Sequence, residues 1–283
     1  MKYSHACSFF ALVCSASACA SVYAESYVIG VEDSAFAPHY SLDKQGQYQG
    51  FARELFDLFA AKSGVQLSFK PLPVAQLLPA LLAGEVDFKY PDSANWAEDK
   101  KAGKTLNYSQ GVVEYVDGVL VAPQRQGQPI EGLKRLAMVN GWTPWGYQER
   151  IDEQKIALTY SDDLRQMIRL ALKKDADGAY FADGVYFNVV VATHYLDNIR
   201  ARPGALVFDA KLPHSRGSFH LSTLKHPQLL QRFDRFLVEQ QAEVAALKAR
   251  YQVEANLDSE YMGLEQWKVD FLKRQQLKDA SGG

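Results

Sequence analysis

Beyond residue 26 the chain alternates short β-branched runs with stretches whose apolar residues recur at helical spacing. Residues 27–31, Tyr-Val-Ile-Gly-Val, predict a strand. Over 51–62 the apolar positions Phe51, Leu55, Leu58 and Phe59 form one stripe of an amphipathic helix, with Gly64 placed to end it. Residues 66–70 alternate again as a strand, 75–83 predict a second helix closed by Gly84, and 86–90 a third strand. A β-α-β-α-β series with short links implies parallel strands joined by right-handed crossovers.

The same grammar returns further on. Residues 136–139 predict a strand, a helix is expected near Thr143, and 156–160 predict another strand. Ser161 is placed to cap a helix carrying Leu164, Met167, Ile168 and Leu172, and 178–182 then read as a strand ending at Asp183. The stretches 80–87 and 170–177 match each other as helix end, turn and an Asp opening a strand, which points to two similar lobes. The strand-like stretches 119–121 and 219–221 lie on either side of the second unit, so the chain enters and leaves that lobe through two connections. After them Pro227 starts a helix whose face is Leu229, Leu230, Phe233 and Leu237, running toward Arg250 and packing back on the first lobe.

In open parallel sheets ligands bind beyond the carboxyl ends of the strands. Those ends are polar and aromatic here: Phe36, His39 and Tyr40 after the first strand, then Tyr90, Asp92, Asn95 and Trp96 at the third. The second lobe offers Trp142, Thr143, Trp145, Asp183 and Tyr186. A single aromatic is an ordinary core residue, but several at matching loop positions of two facing lobes point to a ligand cleft.

The length of 283 residues suits about two compact units. With 47% hydrophobic and 23% charged residues, disorder and low-complexity classes are excluded, and a net charge of −2 gives no argument for nucleic acid. Residues 1–24 read as a secretory signal: Lys2, an apolar and small-residue run, then Val22, Tyr23 and Ala24 before the cleavage point. A second reading stays open, in which Ala16, Ser17, Ala18 and Cys19 form a lipobox and Cys19 is lipidated. Cys7, Cys14 and Cys19 are the three cysteines, so a chain starting at Glu25 has no disulfide, thiolate metal site or cysteine nucleophile. No Gly-x-Ser-x-Gly, His-Glu-x-x-His or glycine-rich phosphate loop is present, so no cofactor and no metal are expected.

The stretch 46–51 with its following helix, residues 77–87 (Leu-Leu-Pro-Ala-Leu-Leu-Ala-Gly-Glu-Val-Asp), 107–109 (Asn-Tyr-Ser) and 177–183 (Asp-Gly-Ala-Tyr-Phe-Ala-Asp) carry a likeness over the whole mature chain. It resembles family 3 of the bacterial extracellular solute-binding proteins, periplasmic receptors of polar amino acid ABC transporters. The resemblance implies an α/β, two-lobed, type II periplasmic binding protein-like fold, each lobe a small doubly wound sheet, with two hinge strands. The two matched units and the two separated connections assign about 25–112 and 222–283 to lobe 1 and 113–221 to lobe 2. The family usually carries an Arg for the ligand carboxylate soon after the first-lobe ligand loop. Here Asp99 falls closest to it, with Lys100 or Arg216 as substitutes. Asp183 matches the position that holds the ligand amine.

These readings converge on a cleft formed by Phe36, Tyr40, Tyr90, Asp92, Trp96, Trp142, Thr143, Asp183, Tyr186 and Arg216. Carboxylates and aromatic faces suit a small amine-bearing solute such as an amino acid. The receptor is expected to be a periplasmic monomer working with an ABC permease or a membrane sensor. The alternative is a dehydratase of the same fold acting on a small carboxylic acid, with Glu114, His39 or His214 as the acid; a lone His194 reads as structural.

Overall fold

The computed structural model describes residues 24–161, 163–174, 176, 181–198 and 204–281. The signal, its cysteines and most of the strand expected at 178–182 therefore lie outside the described residues.

The first lobe opens with β1 (Ser26–Glu32), the small hairpin β2 (Ser41–Leu42) and β3 (Tyr48–Gln49), then α1 (Phe51–Ser63) and β4 (Gln66–Leu72). It continues through α2 (Val74–Ala83), β5 (Phe88–Asp92), the single turn α3 (Glu98–Lys101) and β6 (Asn107–Tyr108). β1 pairs in parallel with β4 on one side and β5 on the other, as the alternating pattern requires. Phe51, Leu55, Phe56 and Phe59 on α1 are buried, and Gly64 ends the helix in the left-handed region with its N–H on the Ala60 carbonyl.

The long strand β7 (Val113–Val121) leads into β8 (Arg135–Met138), α4 (Gln148–Asp152), β9 (Ala157–Tyr160) and α5 (Leu164–Leu172). Then follow β10 (Gly184–Asn188), α6 (Val189–Asn198), β11 (Val207–Phe208) and the return strand β12 (Ser215–Thr223). β8 and β9, and β8 and β10, are parallel. β12 pairs with β7 over its first half and with β5 over its second, so β7 and β12 are the two connections between lobes.

α7 (Pro227–Glu239) and α8 (Gln241–Tyr251) pack on α1, with Phe233 in contact with Phe56 and Phe59 at 5.6 and 5.1 Å between ring centres. The single helix expected to run toward Arg250 is thus broken at Gln240. The last helix, α9 (Gln266–Ser281), rests on α6, so the C-terminal end crosses to the second lobe instead of staying wholly on the first.

Two local expectations are also corrected. Thr143 and Pro144 are irregular, 145–147 form a turn, and the helix begins at Gln148. Asp163, not Ser161, caps α5, accepting from the Arg165 N–H at 2.8 Å. The strand that leads into α6 is β10, which begins at Gly184, just after Asp183.

Candidate functional site

β1, β5, α3 and β7 bring a set of charged side chains to one cavity between the lobes. It encloses about 680 Å³ of non-protein space, part of it open to solvent.

Its walls are aromatic. Phe36 stacks on Tyr40 with ring centres 4.9 Å apart, and Trp142 meets Phe36 edge-on at 5.8 Å from the opposite lobe. Phe219, Trp96 and Tyr115 form a three-ring cluster, with Phe219 at 5.8 Å from Trp96 and 4.9 Å from Tyr115. Tyr186 completes the wall, its hydroxyl accepting from the Trp145 N–H at 3.3 Å. The lobes already touch: the Ala97 N–H donates to Thr143 Oγ1 at 3.4 Å, and Gly141 lies against Ala75 of α2.

The polar groups fall into an acidic side and a basic side. Glu32, at the carboxyl end of β1, accepts on Oε2 from the Tyr40 hydroxyl at 2.6 Å and from Ser34 at 3.2 Å. Burial pushes its carboxyl up; those hydrogen bonds and Lys89 oppose the shift. Asp117, midway along β7, accepts on Oδ1 from Asn188 Nδ2 at 3.1 Å. Burial pushes it up to about 7, against the Asn188 hydrogen bond, and the Glu32 charge adds to the rise. Glu32 Oε1 and Asp117 Oδ2 have no protein donor among the described residues.

On the basic side, Lys89 donates to the Pro91 carbonyl at 2.8 Å and pairs with Asp92 Oδ1 at 2.9 Å. Lys101 donates to the same oxygen at 2.9 Å and to the Ser93 carbonyl at 2.6 Å. An ammonium has three donors, so each lysine keeps one N–H beyond those the wall uses. Asp92 is held by both lysines and by the Ser222 hydroxyl at 2.7 Å. Burial opposes its ionisation, but Lys89 and Lys101 overcome that and hold the carboxyl below its usual range.

Of the residues expected from sequence, Phe36, Tyr40, Asp92, Trp96, Trp142, Thr143 and Tyr186 line this cavity. Tyr90, Asp183 and Arg216 do not. Tyr90 projects from the face of the pleat opposite Lys89 and Pro91 and packs on Phe56 at 5.1 Å. Arg216 is exposed, paired with Glu114 at 2.8 Å and with Asp258. Asp183 lies at the amino end of β10, where Oδ2 accepts from the N–H groups of Lys134 and Arg135, each at 2.9 Å. In the ladder of β7 and β10, Gly184 pairs with Val121 while Asn188 pairs with Asp117. At about 3.3 Å per residue Asp183 is therefore about 17 Å along the strand from the cavity end.

The candidate acids fare no better. Glu114 is on the surface, His214 turns back to the Leu212 carbonyl at 3.0 Å, and neither lines the cavity. His39 is sealed in apolar surroundings, where burial, with His194 adding, pushes its pKa down to about 3. Asp99 and Lys100 are exposed on α3. Sequence reasoning missed Glu32, Lys89, Lys101, Asp117, Gly141 and Phe219. Glu32 obeys the strand-end rule and was within reach of it; Lys101 is one residue beyond Lys100, and only its burial singles it out.

Among the described residues no group of three or more metal-ligating side chains occurs, and no helix is long and apolar enough to cross a membrane.

Two α/β lobes, two strand connections and a polar, aromatic cavity at the junction define a solute receptor of the two-lobed class. Residues 27–254 match the bacterial extracellular solute-binding proteins, family 3, and the chain belongs to that family. A probable histidine-binding protein of Neisseria gonorrhoeae is 29% identical over 104 residues, which span 37% of this chain and only 38% of that relative. An ancestral arginine-binding protein bound to arginine superposes with a TM-score of 0.63 at 19% identity, covering 80% of this chain and 97% of the other. A periplasmic His/Glu/Gln/Arg/opine family-binding protein from Silicibacter pomeroyi in complex with lysine gives 0.63 at 16% identity, covering 81% and 98%. At these identities the structural likeness speaks for the fold alone.

Proposed function

We propose that this chain is a periplasmic receptor for an amino acid with a cationic side chain. One observation carries the reading: three carboxyls, Glu32, Asp92 and Asp117, face two ammoniums, Lys89 and Lys101, around one aromatic cavity. With a bound cation holding Asp117 and Glu32 in their carboxylate forms all five are ionised, and 3 − 2 leaves one net negative charge, which a solute of net charge +1 neutralises. The free oxygens of Glu32 and Asp117 suit ammonium or guanidinium groups. The remaining N–H of Lys89 and of Lys101 suits the α-carboxylate, in place of an Arg fork. Such charge-assisted bonds contribute about 1.5–3 kcal/mol each. The relatives described above as histidine-binding, arginine-bound and lysine-bound favour the same class.

We read the protein as a receptor and not an enzyme, because Glu114, His39 and His214 all lie off the cavity lining. Export through residues 1–24, with cleavage after Ala24 or lipidation at Cys19, places it outside the inner membrane. There, as a monomer, it hands its solute to an ABC permease or presents its closed form to a membrane sensor.

A thermal-shift screen of the amino acids tests the reading. A solute at 100 times its Kd adds about 2.7 kcal/mol of stability. Arginine, lysine or histidine should head the ranking; acidic or apolar amino acids at its head would refute it.

A further inference from the structure

α8 belongs to the first lobe and α9 to the second, so the segment 252–265 passes across the junction beside the two hinge strands. It is attached at every stage. Gln252 ends α8 in the left-handed region, and Val253 and Leu257 are buried. Glu254 Oε1 accepts from the backbone N–H of Glu114 on β7 at 2.8 Å, and from Lys248 at 2.9 Å. Arg216 on β12 donates to the Leu257 carbonyl at 3.4 Å and pairs with Asp258.

On the second lobe the attachment is equally specific. Gly263, at φ +73°, seats directly on Phe208, where a Cβ would come within 2.5 Å of the Phe208 Cβ. Glu265 is buried and accepts from the Gly204 N–H. Asp197 on α6 accepts from the Gln266 N–H at 3.0 Å at the start of α9. Nearly all of this lies beyond residue 254, where the match to the family ends.

We infer that residues 253–266 form a third interlobe link, a strap that holds the lobes in the closed arrangement before any solute arrives. Arg216 and Glu254 are its positioning residues on the hinge. Lobe rotation changes the relation of α8 to α6, and a segment fixed to both restrains that rotation. The contacts described are those of touching lobes, so releasing the strap shifts the free protein toward the open form.

The inference needs no knowledge of the solute, and neither does its test. Small-angle scattering and hydrogen exchange are measured on the ligand-free chain, comparing wild type with three variants. One ends after Asp258, one carries Asp197→Ala with Glu265→Ala, and one is Arg216→Ala. The double variant removes the two polar anchors of the strap on lobe 2 without shortening the chain, so the test survives if the truncation does not fold.

Each folded variant should show a radius of gyration larger by about 1 Å than a compact chain of its own length, roughly 18 Å for the full mature chain. Amide exchange in β7 and β12 should rise several-fold, with exchange in β1 and β4 unchanged. Arg216→Lys should restore part of the wild-type radius. Folded variants with wild-type radius and hinge exchange overturn the inference. So does a loss of protection spread evenly over the chain, which would mark a merely stabilising tail.

Discussion

Asp183 and Asp117 sit at opposite ends of one strand ladder, and their surroundings give them different work. Asp183 satisfies two backbone N–H groups at the start of β8. Asp183→Ala leaves those donors unpaired, so chemical denaturation should show a loss of about 1–3 kcal/mol with solute affinity unchanged. Asp117 is held near neutrality by burial. A solute cation binds its carboxylate, so below pH 7 binding must first release a proton. Affinity should therefore rise about tenfold between pH 6 and pH 8 and level off above, with proton release seen as buffer-dependent heats. Asp117→Asn should abolish that slope and weaken binding roughly tenfold or more. The sequence misled about Asp183 for a physical reason. Asp183 precedes the apolar run 184–188, and periodicity does not show that this run is the strand whose far end, at Asn188, reaches the cavity. That follows from the register of β10 against β7 and β8.

At the scale of elements, pleat parity and strand ends were legible, while contacts across the lobes were not. The stripe of α1 and the left-handed ends at Gly64 and Gly84 follow from spacing alone. The burial of Lys101 does not, because it depends on Asp92, brought from β5 to the same point. Gly141 is the clearest interlobe element. Its φ of +91° is in the region only glycine adopts freely, and a Cβ there would lie 2.9 Å from the Ala75 backbone nitrogen. Gly141→Ala should impede closure and raise Kd roughly tenfold, while the unfolding midpoint falls only as far as the positive-φ strain alone requires. Gly46→Ala is the matched control, since Gly46 has φ +76° but nothing within 4 Å of its Cβ position. Equal Kd values for the two variants would show that closure does not depend on the contact of Gly141 with α2.

For the whole molecule, two β-α-β-α-β units and two separated connections were readable from the chain, because local periodicity encodes them. The crossing of the C-terminal segment was not, since α9 declares its partner only through packing on α6. The central claim is that the junction recognises both ends of a basic amino acid. Titration calorimetry of the exported chain with arginine, lysine and histidine, alongside each decarboxylated and each N-acetylated counterpart, tests it most directly. At least one amino acid should bind one to one, and removing its carboxylate or its α-ammonium should weaken binding at least about tenfold, the effect of losing one charge-assisted bond. Binding of a decarboxylated or acetylated counterpart as tightly as its parent, or no binding by any of the three, would contradict the account.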